Sequence, residues 1–159
     1  MGTLFADSHE ETMSSSTQTV DNRPASEPRG GIVDFEANPV VVVIPAYNEE
    51  RFIGSVVLKV RRYPVTVIVV DDGSADDTAE VALAAGATVI RHPCNQGKGK
   101  ALHSGFAAAR KLHPAAIVMI DGDGQHLPEQ MEALVRPILA DEADLVIGSR
   151  YLEKAQGVP

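Results

Sequence analysis

Two aspartates flanking a single glycine, Asp121 and Asp123, stand directly after an apolar run and are followed by Gly124, Gln125 and His126. Paired carboxylates at that spacing suit a hard divalent cation, which prefers oxygen ligands. The glycines let the backbone turn sharply and let a bulky anion approach. A polar turn opening a helix is the competing reading, because Asp and Gly favour turns in any case. An EF-hand loop fits poorly: Glu132 falls at its twelfth position, but His126 stands where a glycine is required and Pro128 interrupts the loop. His126 reads more simply as a solvated or hydrogen-bonded residue than as a ligand.

Three further polar clusters carry chemistry. Asp71-Asp72-Gly73-Ser74 follows a second apolar run, where an acid can accept hydrogen bonds from ribose hydroxyls or a base N–H. Helix capping competes for it; the reading keeps Asp71 or Asp72 for a ligand and Asp76 or Asp77 for the cap. Pro45-Ala46-Tyr47-Asn48-Glu49-Glu50 places an aromatic face at Tyr47 and, at Glu49, a ligand contact or a first-turn dipole partner. Asn95-Gln96-Gly97-Lys98-Gly99-Lys100 sets glycines beside lysines at a helix start, where a phosphate or hydroxyl-rich group can sit. It is not a Walker loop, since Gly99 replaces the Ser or Thr after the lysine and His92 replaces the first glycine. His103, further along that helix, reads as structural or exposed.

The elements that must position these clusters alternate. Strands are expected at Val40–Ile44, Val65–Val70, Ala87–Arg91, Ala115–Ile120 and Asp144–Ile147. Helices are expected from Glu49 to Arg62, where Phe52, Ile53, Val56, Val57 and Val60 show helical spacing, from Asp76 or Asp77 to Ala85 with Gly86 ending it, from Lys98 to Leu112, and from Pro128 to Ala140. Near-continuous apolar strands alternating with helices predict an α/β fold, a mostly parallel sheet with helices on both faces. Ligands bind such a sheet outside the carboxyl ends of its strands, and each cluster named above follows a strand.

Bulk composition narrows the function. The 159 residues have room for one domain. A net charge of -8, no Trp and 4% aromatics argue against a nucleic-acid partner. Residues 1–38, with seven acidic and two basic residues, carry -5 of that charge and show no periodicity; they are expected to form a disordered acidic tail ahead of a domain spanning 39–159. The single cysteine, Cys94, excludes an intramolecular disulfide and fits a reducing, cytoplasmic compartment. No apolar run is long enough to span a bilayer.

Taken together, the stretches Val43 to Glu50, Val69 to Ser74, Asn95 to Gly99, Asp121 to His126 and Gly148-Ser149-Arg150-Tyr151 resemble the family 2 glycosyltransferases of the Rossmann-like GT-A fold. The likeness is greatest to the polyprenyl- or dolichyl-phosphate sugar synthase branch and covers about residues 39–153. The resemblance implies a nucleotide-sugar donor, linked to uridine or guanosine diphosphate, and an assisting Mg²⁺ or Mn²⁺. It implies that Pro45, Tyr47 and Glu49 line the nucleotide pocket and that Asp71 or Asp72 contacts the base or ribose. Lys98 and Gly99 would lie near the ribose or sugar. Asp121 and Asp123 would form the metal and diphosphate site with Gln125 in support, and Arg150 would hold a phosphate. Transfer with inversion to a lipid phosphate is the implied reaction, which would bring the protein to the cytoplasmic face of a membrane.

The family pattern continues past Pro159 with acceptor-shaping segments, so the chain is expected to be a C-terminally truncated donor-binding part, with an exposed sheet edge or a homo-oligomer contact where the remainder would pack. A non-catalytic nucleotide-sugar-binding module, or an inactive fragment, is the alternative. A sugar-phosphate nucleotidyltransferase is a third reading, disfavoured because Tyr47-Asn48-Glu49 stands where a Gly-rich basic loop would follow the first strand.

Overall fold

The computed structural model describes residues 33–123 and 130–148, which fall within the unit Ile32–Pro159 that chain contacts separate from Met1–Gly31. Among the described residues the order is β1 (Val40–Ala46), α1 (Glu50–Val60), β2 (Thr66–Asp71), α2 (Thr78–Ala84), β3 (Thr88–Arg91), α3 (Lys98–Arg110), β4 (Ala116–Met119) and α4 (Met131–Leu139). The strands form one parallel sheet in the order β3-β2-β1-β4.

Alternation along the central strand divides the core in two. Val40, Val42, Ile44 and Ala46 face α1, α2 and α4, packing with Ile53, Val57, Ala82, Met131 and Val135. Val41 and Val43 face α3, packing with Val70, Ala101 and Ala109. The expected parallel α/β architecture with helices on both faces is therefore present. α3 comes unusually close: a Cβ on Gly105 would lie 2.4 Å from Val43 Cγ1, so only a glycine lets helix and sheet approach this far.

The strand order carries a switch point. β1, β2 and β3 are laid down in one direction, and the chain then crosses back so that β4 pairs with the other side of β1. The carboxyl ends of β1 and β4 diverge there into the crevice where such sheets bind ligands. Pro45 is tolerated in β1 for the same reason. The Val43 carbonyl accepts from Ile120 N–H at 3.1 Å, on the β4 side. The ladder with β4 ends with Met119 opposite Val43, so Pro45, the next residue turned to the β4 side, stands just past the last pairing, where its missing N–H marks the end of the ladder rather than a gap within it.

Gly86 ends α2 in a left-handed turn (φ 93), as expected of a helix-terminating glycine. The expected strand at Asp144–Ile147 is not formed: that segment has no ladder partner among the described residues, and Leu145 and Ile147 are 76% and 78% exposed. An apolar run becomes a strand only where a neighbouring edge and a covering layer take up its backbone and side chains. The expected helix start at Pro128 lies outside the described residues.

The folded unit also begins earlier than the Pro39 boundary read from composition. Val33 and Phe35 are buried in the larger core, Phe35 meets Tyr63 edge-on with ring centres 5.7 Å apart, and Val33 N–H donates to Glu132 Oε1 at 2.9 Å. No described helix is long and apolar enough to cross a membrane.

Candidate functional site

At the switch point the ends of β1, β2 and β4 and the start of α3 enclose a cavity of about 340 Å³. Pro45, Tyr47, Glu49, Asp72, Lys98, Asp121 and Asp123 line it, together with Ala46, Asn95, Ala101 and Gly122. Seven residues singled out in the sequence thus share one wall-to-wall space. Asp71 and Gly99 do not reach it. Gln125, His126 and Arg150 lie outside the described residues.

The turn after β1 and the start of α2 cap one another. Asn48 takes the left-handed region (φ 54), and its N–H donates to Ser74 Oγ at 2.9 Å. Glu49 N–H donates to Thr78 Oγ1 at 2.8 Å and Glu50 N–H to Asp76 Oδ2 at 3.2 Å. In return Asn48 Oδ1 accepts from Ala75 N–H and Glu50 Oε2 from Asp77 N–H. These side chains stand in for the N-cap bonds that neither helix makes from its own cap residue. Of the two cap candidates, Asp76 does the work, accepting from Thr78 N–H at 3.1 Å. The result is a rigid rim that presents Tyr47 and Glu49 to the cavity.

The two adjacent aspartates after β2 have different fates. Asp71 is still in the ladder, paired with Arg91 across β3. It is fully buried, with Oδ1 accepting from Ser74 N–H at 3.0 Å and Oδ2 facing Arg91 Nε at 3.1 Å. Asp72 lines the cavity but also grips the loop before α3. Its Oδ2 accepts from Gly97 N–H at 2.7 Å, both oxygens receive Gln96 N–H at 3.1 Å, and Oδ1 meets His92 Nδ1 at 2.6 Å. Burial pushes the Asp72 carboxyl up, but the bonds from His92, Gln96 and Gly97 more than reverse this and hold it below the usual carboxylate range.

Across the cavity, Lys98 Nζ pairs with Asp121 Oδ1. Glu49 is raised above its ordinary value, first by burial and then by the charges of Asp123 and Asp76. Negative charge therefore accumulates between the β1 and β4 ends. Among the described residues no group of three His, Cys, Asp or Glu side chains encloses a metal by itself. Two carboxylates on one turn do fit an ion of the Mg²⁺ kind, which is commonly held by one or two carboxylates plus the phosphates of its ligand. The turn lies against β1: a Cβ on Gly122 would stand in ordinary contact with the Pro45 carbonyl, at 3.4 Å.

Asn95, from the cluster before α3, joins the lining, while His92 and Ser104 stand behind Asp72, a placement that no sequence motif indicated. His92 Nε2 lies 2.9 Å from Ser104 Oγ. His92 follows β3 just as Asp72 follows β2, so parity at the strand ends is the one signal that could have paired them, and it requires the strand order.

A model of the family described as glycosyl transferase family 2 matches residues 41–158. The UDP-N-acetylglucosamine–dolichyl-phosphate N-acetylglucosaminyltransferase of Methanococcus voltae is 32% identical over 129 residues, covering 70% of this chain and 51% of that protein. The polyprenol monophosphomannose synthase of Mycolicibacterium smegmatis is 37% identical over 120 residues, covering 70% of this chain and 45% of that one. The crystal structure of glucosyl-3-phosphoglycerate synthase from Mycobacterium tuberculosis, in complex with Mn²⁺, UDP-glucose and phosphoglyceric acid, superimposes with a TM-score of 0.56 at 34% identity. That match covers 68% of this chain and 42% of the synthase. The chain spans about half the length of the curated relatives it matches.

Proposed function

The chain belongs to glycosyl transferase family 2, and from that premise we propose that its cavity takes a nucleotide sugar with a divalent cation, for transfer of the sugar with inversion to a polyprenyl or dolichyl phosphate. The observation that carries the reading is the meeting of Asp121, Asp123, Lys98, Glu49, Asp72 and Tyr47 in one space at the switch point. A Mg²⁺ or Mn²⁺ ion held by Asp121 and Asp123 would stabilise the charge that gathers on the departing nucleoside diphosphate. Mn²⁺ accompanies UDP-glucose in the similar synthase structure, and one relative's name carries dolichyl phosphate while another's carries polyprenol monophosphomannose.

The chain's own residues divide the remaining work. Tyr47, 46% exposed at the mouth, offers its ring to the base. Lys98 sits where a phosphate beside Asp121 would meet a positive charge. In the inverting step, an acceptor oxygen bonds to the sugar's anomeric carbon from the face opposite the diphosphate, as the carbon–oxygen bond to the diphosphate breaks and the diphosphate leaves with the electron pair. A phosphate acceptor is already an anion near neutral pH, so it needs positioning rather than a base to remove a proton. Gln125 supporting the metal and Arg150 holding a phosphate complete the proposed set, and a lipid acceptor would bring the protein to a membrane surface.

The test is thermal unfolding of the full chain with UDP, GDP, UDP-glucose and GDP-mannose, each with Mn²⁺ and with EDTA. A ligand at a hundred times its dissociation constant stabilises a fold by about 2.7 kcal/mol. Stabilisation by one base that needs Mn²⁺ and disappears in Asp123→Ala is expected. No shift with any nucleotide, or a shift indifferent to the metal, would sink the donor-site reading.

A further inference from the structure

His92 is the first residue after β3 and is 8% exposed. Its ring bridges two elements: Nδ1 meets Asp72 at the end of β2 at 2.6 Å, and Nε2 meets Ser104, two turns into α3, at 2.9 Å. Ser104 can donate its hydroxyl proton to Nε2, which leaves Nδ1–H to donate to the Asp72 carboxylate. Asp72 then holds the N–H groups of Gln96 and Gly97. One imidazole therefore anchors, through one carboxylate, the peptide units immediately before Lys98.

That anchorage is needed locally. Gly97 is the N-cap of α3 at φ 90 and ψ 153 and makes no side-chain cap bond. The space where its Cβ would be is open, and its N–H is held by Asp72 Oδ2 at 2.7 Å and by Asn95 Oδ1 at 3.0 Å. Of these two acceptors only Asp72 ties the turn to the sheet. The opposite side of the same turn carries Asn95 and Lys98 into the cavity, with Lys98 against Asp121.

We propose that His92, oriented by Ser104, is a positioning residue for donor binding: acting through Asp72 it fixes the Gln96–Gly97 turn and so aims Lys98 at the diphosphate beside Asp121. The inference rests on the reading of this cavity as the donor site. A histidine that merely filled space would weaken the fold without regard to Lys98. A histidine that acts through Lys98 loses its influence once Lys98 is gone.

The experiment measures Mn²⁺-dependent dissociation constants of UDP and GDP for the full chain carrying His92→Phe, His92→Asn or Ser104→Ala, each with and without Lys98→Ala. Asn can keep a donor near the Nδ1 position, whereas Phe keeps bulk and loses both bonds. Expected are about tenfold weaker binding in His92→Phe, about threefold in Ser104→Ala, and near-parental binding in His92→Asn, on the scale of one or two lost hydrogen bonds. In the Lys98→Ala background His92→Phe should add less than about twofold, the non-additivity of residues acting through one contact. Amide exchange at Gln96 and Gly97 should quicken in His92→Phe while the rest of the fold stays protected. Equal effects in both backgrounds, or faster exchange with unchanged affinity, would overturn the positioning role alone. A parent chain with no metal-dependent nucleotide binding would overturn the donor reading and this inference together.

Discussion

At the scale of single residues, Asp72 and Asp76 show how a carboxylate in a half-buried turn becomes a source of stability. Burial raises each, but the His92 ring and the Gln96 and Gly97 N–H groups lower Asp72, and the Thr78 hydroxyl with the Glu50 and Thr78 N–H groups lower Asp76. Both end below the ordinary value, so the fold favours the charged form. Their contribution is fully present above the unfolded carboxylate range near about pH 4 and is lost as pH falls through the lower folded values. Urea unfolding should therefore show stability dropping between about pH 5 and pH 2, with a shallower drop in Asp76→Asn. A slope unchanged by that substitution would mean that the Asp76 bonds contribute nothing net. The same residues mark what the sequence conceals. That an acid stands after β2 was plain, but which of two consecutive acids faces the cavity was not. Asp71 is spent in the ladder against Arg91, and only the register across β3 reveals it.

At the scale of elements, the alternation of strands and helices was legible because parallel strands buried on both faces leave continuous apolar runs, as Val40 to Ile44 does. The run Leu145 to Ile147 gave the same signal without the outcome, since hydrophobicity does not say whether a partner edge is at hand. The seat of α3 was equally hidden: Gly105 reads as an ordinary helix-weakening glycine, yet it lies directly against the sheet. A methyl group there would stand 2.4 Å from Val43 Cγ1 and 3.1 Å from Val70 Cγ2, so the helix must lift. Gly105→Ala should cost about 1–3 kcal/mol despite alanine's better helix propensity. Because α3 carries Lys98 at its start, the substitution should also weaken nucleotide binding. Denaturant melts and nucleotide titration of the one variant would read both effects; an unchanged or raised midpoint would show that the helix accommodates the methyl without moving.

At the scale of the whole molecule, composition places the start of the domain at Pro39, because 33–38 contains three acids or amides among its six residues. Packing places it earlier. Charge density in a six-residue window is blind to the alternation by which Val33 and Phe35 turn inward while Asp34 and Glu36 stay in solvent. We propose that 1–31 is dispensable for folding and that 33–38 is not. Removing residues 1–31 should leave the unfolding midpoint and the nucleotide response as they are, since the chain's contacts divide just there. Removing 1–38 deletes two buried apolar side chains, the ring contact with Tyr63 and the backbone bond to Glu132, whose carboxylate also pairs with Arg136 on α4. Burial of a Val and a Phe is worth about 3–6 kcal/mol before the entropy of ordering a short segment is subtracted, so a net loss of roughly 2–4 kcal/mol is expected. Comparing the two truncations by urea unfolding separates the cases: equal stability would mean the segment only rests on the core, whereas a loss confined to the longer deletion would make Val33 and Phe35 part of it. That loss would also reach α4, because Glu132, which accepts the Val33 N–H, stands in its first turn.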